Sequence, residues 1–333
     1  MRDAAPPEEA FNGAVVAIGH FDGVHRGHRT VVEAAVRRAR VLGRPAAALT
    51  FEPHARTYFR PDQPLFRLTD ERAKLRLLAA TALDGAIVLS FDAALAALSA
   101  EDFVERVLVG RFAIAGVAVG YDFHFGHGRR GSPDFLVEEG RKHRFPVEVT
   151  PPLEDEGRPV SSSGIRAALA EGQVVEAAEL LGHPWFVTGT VVHGDKRGHA
   201  LGFPTANIRL DPACGLKHGI YAVRVGIGSA RHEGVASFGR RPTFDNGATL
   251  LEVFLFDFAG DLYGQALDVA FIGWIRPELR FDAVDDLIRR MDEDAWMARA
   301  ILARAQDAFP PIVSQEAIAD ATAIRPAPHK SSS

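Results

Sequence analysis

Residues 19–28 read GHFDGVHRGH and follow an apolar run, AVVAI, at residues 14–18. The apolar run predicts a strand, and the pattern after the loop predicts a helix. A helix that begins just after a strand directs its free N–H groups and the positive end of its dipole into the connecting loop. His25 and His28 add two imidazoles there, and the glycines between them allow close backbone approach. The stretch therefore predicts an α/β fold with a phosphate-binding loop. The alternative is a tight turn with two solvated histidines.

The composition is that of a globular protein with about two domains. The chain has 333 residues, of which 47% are hydrophobic and 24% are charged, which is enough for two cores. A formal net charge of −5 gives no general attraction to nucleic acid, and no apolar run is long enough to span a membrane. The one cysteine, Cys214, excludes an internal disulfide and suits a reducing compartment. We expect a cytoplasmic protein with no nucleic-acid or membrane partner.

The pattern of the chain changes near residues 182–186. Before that point, short apolar runs alternate with helical patterns, which is typical of a parallel sheet covered by helices. The predicted strands are 14–18, 46–51, 86–89, 117–119 and 147–150, and the predicted helices are 28–42, 70–80, 100–111, 132–143 and 164–171. After it, β-rich runs follow one another without helices, at 186–192, 221–226, 233–238, 249–256 and 266–272. These runs predict an antiparallel barrel or sandwich, closed by a helix over 282–308.

Polar residues suited to a nucleotide occur at three later points of the first half. TFEPH at 50–54 follows the second predicted strand, GYDFHFG at 120–126 follows the fourth, and SSSGIR at 161–166 opens a helix. Ligands of parallel sheets bind at the carboxyl ends of the strands. Each element also has an ordinary structural explanation, since Ser163 could cap its helix and Phe123 could belong to the core. Together the elements indicate a nucleotide site. The absence of GxGxxG from the first turn disfavours a dinucleotide-binding site.

A second group of polar residues lies in the second half. In an extended PTAN segment, Thr205 and Asn207 share one face, so that their oxygens could converge on a cation such as Mg²⁺. The alternative is a turn with two hydrogen-bonded side chains. Glu252 lies in the run TLLEVFLFDF, where a carboxylate among apolar residues is unfavourable unless it lines a polar cavity. It is therefore a candidate general base, unless it lies on an edge strand and reaches solvent.

These motifs resemble, in order, those of the prokaryotic bifunctional riboflavin kinase/FAD synthetases. GHFDGVHRGH, TFEPH, GYDFHFGHGRRG and SSSGIR match the adenylyltransferase half of that family. The kinase half is matched by GTVVHGDKRGHALGFPTAN, GIYAV, GRRPTF, LEV and IRPELRFD. The resemblance implies a Rossmann-like HxGH nucleotidylyltransferase domain with a parallel sheet over residues 12–182. It further implies an antiparallel β-barrel riboflavin kinase domain with a C-terminal helix over residues 186–308, and we expect a disordered tail over residues 309–333.

The resemblance also implies two reactions that use ATP and Mg²⁺, with riboflavin, FMN and FAD as substrates and products. The barrel phosphorylates riboflavin to FMN, and the first domain adenylylates FMN to FAD. In the first domain, the implied catalytic residues are His25, His28 and Arg166. The implied binding residues there are Gly19, Phe21, Asp22, Gly23, Gly27, His54, Asp122, Phe123, Phe125, Ser162 and Ser163.

In the barrel, the resemblance gives Glu252 the role of the base that takes the proton of the ribityl hydroxyl. Thr205 and Asn207 are the implied ligands of Mg²⁺ and ATP. The other implied binding residues are Gly194, Lys196, Gly198, Gly202 and Arg276.

Two positions depart from the family pattern. His20 stands where members often have Asn, Thr or Val, and we assign it no role from the sequence. Phe254 stands where His is common.

Two other functions stay open. One is a nucleotidylyltransferase for another phosphate monoester with a regulatory barrel, and the other is a non-catalytic flavin sensor. Glu252 and the PTAN residues are against the first, and the intact phosphate-contact positions are against the second.

Overall fold

A parallel five-stranded sheet forms the first half of the protein. The computed structural model describes residues 11–192, 205–240 and 249–312. The sheet has the order β3-β2-β1-β4-β5, and every strand predicted for it is confirmed. The strands are β1 (Val15–Ile18), β2 (Ala46–Glu52), β3 (Gly85–Ser90), β4 (Gly116–Gly120) and β5 (Val147–Thr150).

Helices cover both faces of this sheet. All five predicted helices are present, although the first begins at Arg26 rather than at residue 28 because His25 is its N-cap. Three short α-helices, at Ala55–Phe59, Ala93–Ala97 and Val174–Leu181, and a 3₁₀ helix at His127–Arg129 were not predicted. The helices of this half are α1 (Arg26–Leu42), α2 (Ala55–Phe59), α3 (Glu71–Ala79), α4 (Ala93–Ala97), α5 (Ala100–Asp102, continued by a π-helix over Phe103–Arg111), α6 (Pro133–His143), α7 (Ser162–Ala170) and α8 (Val174–Leu181).

Strand β1 shows why this sheet is buried on both sides. Its four residues are fully buried, and alternate side chains enter opposite cores. Val16 and Ile18 pack in one apolar cluster, whereas Val15 and Ala17 pack in the other. The strand order reverses between β1 and β4, so the crevice above their carboxyl ends is the expected ligand site of an open α/β sheet.

A closed six-stranded barrel follows, in the order β10-β11-β12-β9-β8-β13. The structure therefore decides for a barrel and against a sandwich. Its strands are β8 (Phe186–Val192), β9 (Thr205–Arg209), β10 (Gly219–Ile227), β11 (Ala230–Arg240), β12 (Thr249–Leu255) and β13 (Ala266–Arg276). The predicted final helix is α9 (Val284–Arg304), and a two-stranded hairpin, β6 (Glu154–Asp155) and β7 (Arg158–Pro159), precedes α7.

The two halves share an apolar core. Ile165 and Leu169 of α7 and Leu181 of α8 belong to one buried cluster with Val223 and Phe271 of the barrel interior. Burial of such side chains is the main favourable contribution to the contact. The junction between the halves therefore resembles a protein interior.

The chain also returns from α9 to the first half. Phe309 lies against Gly226 and under the Arg231 guanidinium, 4.7 Å from it. Phe309 and Ile312 pack against the cluster that contains α1 and α3. Residues 309–312 are thus packed and do not belong to the predicted tail, while residues 313–333 lie outside the described part. In the part of the chain that is described, no helix is both long and apolar enough to cross a membrane.

Candidate active sites

His25 and His28 lie at the N-terminus of α1, just beyond the carboxyl end of β1. The Nδ1 atom of His25 accepts a hydrogen bond from the His28 backbone N–H at 3.2 Å. The two rings stack with their centroids 3.6 Å apart. Because Nδ1 of His25 is an acceptor, the proton of the neutral ring lies on Nε2 and can be donated to a ligand.

Both histidines are neutral at physiological pH. Burial lowers the pKa of His25 to about 4, although the nearby Asp22 carboxylate opposes the shift. Burial also lowers the pKa of His28 well below its usual value, with further contributions from His25, His20 and Lys74. The Nδ1 atom of His28 is buried and has no hydrogen-bond partner among the described residues. The pair thus adds uncharged polar groups to a helix N-terminus, which itself favours an anion.

Asp22 connects three segments around this loop. Its carboxylate accepts hydrogen bonds from the backbone N–H groups of Leu68, at 3.2 Å, and Thr69, at 3.0 Å, and from the Arg166 guanidinium. Its carbonyl accepts one from the Ser162 hydroxyl at 3.0 Å. The predicted residues Ser162 and Arg166 are therefore brought to the histidine loop, and the Asp22 carboxylate helps to hold them there.

The start of α7 is capped by Ser161, whose hydroxyl accepts a hydrogen bond from the Gly164 N–H at 3.2 Å. The alternative in which Ser163 caps the helix is therefore wrong. Ser163 lies in the first turn and is exposed.

The glycines of the loop leave little space beside their backbone. A Cβ atom would lie 3.2 Å from the Phe21 ring at Gly19, 2.9 Å from Leu68 at Gly23, and 3.3 Å from the N-cap imidazole at Gly27. Gly23 also has φ near +86°, which is unfavourable for other residues. At Gly23 the loop's own packing, rather than the approach of a ligand, accounts for the glycine.

An aromatic cavity of about 790 Å³ opens at the ends of β2 and β3 and is bounded by residues 123–129 after β4. The predicted residues His54, Phe123 and Phe125 line it, and the two phenylalanine rings stack at 5.4 Å. Asp122 does not line it but lies exposed in the turn after β4. A cavity of this size and aromatic lining suits a flat, drug-sized ligand.

Glu252 and the PTAN residues meet on the outer face of the barrel. Glu252 of β12 pairs with Asn207 of β9 and with Ser237 of β11, and directly paired side chains lie on the same face of a sheet. Alternate residues such as Val253 and Ala206 enter the barrel interior. β12 has a neighbour on each side, so the edge-strand alternative for Glu252 is wrong. The extended PTAN segment is confirmed from Thr205 onward, where β9 begins.

A cavity of about 220 Å³ lies on this outer face beneath α9, and Thr205, Glu252 and Arg276 line it. The Arg276 guanidinium forms two hydrogen bonds with the buried Asp294 carboxylate of α9, at 2.8 and 2.5 Å. Arg276 thus ties α9 to the barrel beside the cavity. The remaining predicted binding residues, Gly194, Lys196, Gly198 and Gly202, lie outside the described residues.

Comparison with known proteins gives matches to both halves. A family model for FAD synthetase matches residues 8–164, and one for riboflavin kinase matches residues 181–302. A bifunctional riboflavin kinase/FMN adenylyltransferase of Escherichia coli K12 is 40% identical over 288 residues, which are 86% of this chain and 92% of that protein. One of Pseudomonas fluorescens is 41% identical over 296 residues, or 87% and 94% of the two chains. The chain belongs to the bifunctional riboflavin kinase/FMN adenylyltransferase family.

The fold is also similar to a crystal structure described as a macrolide-efflux protein from Streptococcus pneumoniae. The TM-score is 0.77 at 32% identity, over 86% of this chain and 94% of that one.

The first half of the present chain is an FMN adenylyltransferase, which makes FAD and pyrophosphate from FMN and ATP. The barrel is a riboflavin kinase, which makes FMN from riboflavin and ATP. The predicted family, fold and activities are confirmed, and a purely regulatory barrel is excluded.

In the FMN adenylyltransferase half, a buried charge network beneath the loop was not predicted from the sequence. Lys74 of α3 has a side chain only 1% exposed. Its Nζ donates to Glu52 at 2.6 Å and to the Thr50 hydroxyl at 3.1 Å. Glu52 also accepts two hydrogen bonds from Arg67, at 2.6 and 2.7 Å. A lysine on the apolar face of a predicted helix was the available signal, because such a residue requires a buried partner.

In the riboflavin kinase half, Ser237 was missed. It lines the outer cavity beside Glu252. Ala236 and Phe238 point into the barrel interior. Ser237 lies between them in sequence and therefore points to the outer face, where a polar side chain can contact a ligand. This alternation was the available signal.

Proposed function

We propose that FMN adenylylation takes place above β1 and β4, with His25 and His28 contacting the phosphates of ATP. The observation that carries this proposal is the stacked, uncharged histidine pair at the N-terminus of α1. One nitrogen of that pair, Nδ1 of His28, is buried and has no partner among residues 11–192, 205–240 and 249–312. A phosphate oxygen would satisfy it if that nitrogen carries the proton.

The chemistry suits these groups. An oxygen of the FMN phosphate attacks the α-phosphorus of ATP, the bond from that phosphorus to the bridging oxygen breaks, and pyrophosphate leaves. Such a reaction depends on aligned reactants and on stabilising charge on the phosphate oxygens. The helix terminus and the two histidines would contact the phosphates from the loop, and Arg166, Ser162 and Ser163 from the start of α7, which hydrogen-bonds to Asp22 of that loop. Arg166 adds a permanent positive charge.

We assign the flavin to the aromatic cavity and ATP to the crevice between β1 and β4. The lining supports this, since the cavity is formed by the end of β2, by Phe91 after β3 and by residues 123–129 after β4, whereas His25 and His28 lie where the strand order reverses between β1 and β4. The partly buried Phe123 offers a stacking face for the isoalloxazine ring, and the buried Phe125 ring stacks on Phe123. The two substrates would then meet at the loop that follows β1.

For the riboflavin kinase reaction, we assign the general base to Glu252. It takes the proton of the ribityl hydroxyl as that oxygen attacks the γ-phosphorus of ATP. Its place on the wall of the outer cavity supports this role, because a general base must reach the proton that it removes. Asn207 and Ser237, paired with Glu252 on either side, can orient the carboxylate or the substrate hydroxyl.

We assign Mg²⁺ of the kinase reaction to Thr205 and Asn207. The amide oxygen of Asn207 is buried and has no hydrogen-bond partner among the described residues, and amide and hydroxyl oxygens are suitable ligands for this hard cation. Mg²⁺ usually keeps several water ligands and binds nucleotide phosphates, so two protein oxygens suffice to anchor it. When bound, Mg²⁺ neutralises phosphate charge.

The purified protein should convert riboflavin and ATP into FMN and FAD, separated by chromatography, when Mg²⁺ is present. EDTA should stop FMN formation, and excess Mg²⁺ should restore it. FMN formation that persists at full rate in EDTA would contradict the metal assignment.

We also propose a cytoplasmic location, in keeping with a chain that has one cysteine. Burial raises the pKa of Cys214 to about 11. The thiol is therefore a poor nucleophile and stays protonated.

A further inference from the structure

His20 occupies the boundary between the histidine loop and the aromatic cavity. Its ring lines the cavity and stacks on His54, with the centroids 4.1 Å apart and the planes 24° from parallel. On another side it lies 5.5 Å from the Phe51 ring. Its carbonyl accepts hydrogen bonds from the Thr50 hydroxyl at 3.2 Å and from the Lys74 ammonium at 3.4 Å. The residue is therefore fixed at the ends of both β1 and β2.

One ring nitrogen of His20 is buried without a hydrogen-bond partner among the described residues. Its Nδ1 atom is inaccessible to solvent and makes no hydrogen bond within the described part of the chain. Buried polar side-chain atoms nearly always have a partner, which a ligand can supply. Burial, the neighbouring His54 and the Lys74 ammonium lower the pKa of His20 to about 3. The ring is thus neutral and carries a single N–H donor.

The position of this donor relative to the two substrates is informative. With ATP at the β1 and β4 ends and the flavin ring in the aromatic cavity, the FMN phosphate must lie between them. His20 belongs to the loop that separates these two regions, and it is the residue of that loop that lines the cavity. His25 and His28 lie on the ATP side of that loop, and His20 and His54 lie on the cavity side.

We propose that His20 contacts the phosphate of FMN and, together with His54, holds it for attack on the α-phosphorus of ATP. This proposal rests on the proposed function of the first half. His20 donates a hydrogen bond to a phosphate oxygen that does not attack, and it gives up no proton. Because the ring is uncharged, it orients the phosphate without withdrawing as much electron density from the nucleophilic oxygen as a cation would.

Two substitutions test the donor. His20→Val removes it and should raise the KM for FMN in FAD synthesis about tenfold or more, the usual effect of losing a hydrogen bond to a charged group. His20→Asn keeps a donor and should raise that KM less. The KM for ATP and the riboflavin kinase activity should stay near those of the parent protein in both variants. His143→Asn, on α6 and outside the cavity, is the matched control and should change none of these values.

Lumiflavin, which has the isoalloxazine ring without the ribityl phosphate, separates a phosphate contact from a ring contact. As an inhibitor competing with FMN, it should bind equally well to the parent protein and to His20→Val. A loss of lumiflavin affinity in proportion to the rise in KM for FMN would overturn the phosphate assignment.

The remaining outcomes separate this proposal from the proposed function. An unchanged KM for FMN in His20→Val, with FAD synthesis lost in His28→Ala, would refute the role of His20 alone. Full FAD synthesis in His28→Ala would refute the assignment of the loop itself. Loss of riboflavin kinase activity in both His20 variants would show a structural role and would also overturn the proposal.

Discussion

Arg76 of α3 and Asp268 of β13 form a two-pronged ion pair that joins the adenylyltransferase half to the kinase barrel. Its two hydrogen bonds are 2.7 and 2.6 Å long. The side chains are only 4% and 13% exposed. Asp268 also accepts a hydrogen bond from Thr188 of β8 at 2.6 Å. Both charged groups are nearly excluded from water, so the attraction between them has to offset the hydration that each loses.

Asp268→Asn should destabilise the protein by about 3 kcal/mol, because it removes the negative charge that the buried Arg76 guanidinium pairs with. The exposed pair of Arg299 and Asp257, which has the same two-pronged geometry, provides the control. Asp257→Asn should leave the thermal midpoint almost unchanged, since Asp257 is in water. Thermal unfolding of the three full-length proteins measures the difference. Equal midpoints for the two variants would contradict the importance of the contact between the halves.

His28→Ala should lower the kcat/KM of FAD synthesis by about 10²–10³-fold, the usual effect of removing a group that stabilises transition-state charge. Riboflavin kinase activity should remain, because the barrel cavity is formed by other residues. The protein given riboflavin, ATP and Mg²⁺ should therefore accumulate FMN. His143→Ala, on α6 and outside the aromatic cavity, is a suitable control. Parallel loss of both activities in His28→Ala would point to misfolding rather than to a role in adenylyl transfer.

Glu252→Gln should reduce FMN formation by about 10²–10⁴-fold, since the amide cannot accept the ribityl proton. The conversion of added FMN to FAD should continue at the parent rate. Glu233→Gln makes the same change at a more exposed site on the neighbouring strand and should leave both activities intact. Rapid FMN formation by Glu252→Gln would exclude Glu252 as the base.

Stability should fall as the pH decreases from 7.5 to 5. Burial lowers the pKa values of His25 and His54 to about 4, whereas a histidine in the unfolded chain titrates near 6.5. Between these values the unfolded chain binds protons that the folded protein does not, so the contribution is complete above about pH 6.5 and is lost below it. Each such histidine should account for about 1–2 kcal/mol over this range.

Urea unfolding at several pH values measures this effect. His54→Asn is the informative variant, because Asn is also a good N-cap for α2. Its stability should depend less on pH than that of the parent protein. An identical pH dependence would show that His54 is not neutralised by burial.

Local sequence patterns were sufficient to predict those parts of the two sites that lie within a single helix or strand. The apolar run before residue 19 located β1, and the alternation around Glu252 located a carboxylate opposite the barrel interior. Both patterns reflect the period of two in a strand. The start of α1 was placed too late because a histidine N-cap is less common than Ser, Thr, Asp or Asn.

Contacts between distant residues could not be predicted in this way. Asp22 meets Arg166 across 144 positions of sequence, and Lys74 meets Glu52 across 22. No periodic pattern encodes such pairs, because they depend on how the elements pack. For the same reason no role for His20 could be predicted from the sequence. His20 meets His54 only because β1 and β2 pair in the sheet.

The apolar cluster shared by α7, α8 and the barrel interior constrains how this protein can change during evolution. A gene shortened near codons 182–186 would encode a fragment with Leu169 and Leu181 exposed to water, and we expect such a fragment to aggregate. A lineage that needed only FAD synthesis could not simply discard the second half of the gene. A point mutation at Glu252 would abolish riboflavin kinase activity, and the folded barrel would still cover the apolar surface of the adenylyltransferase half.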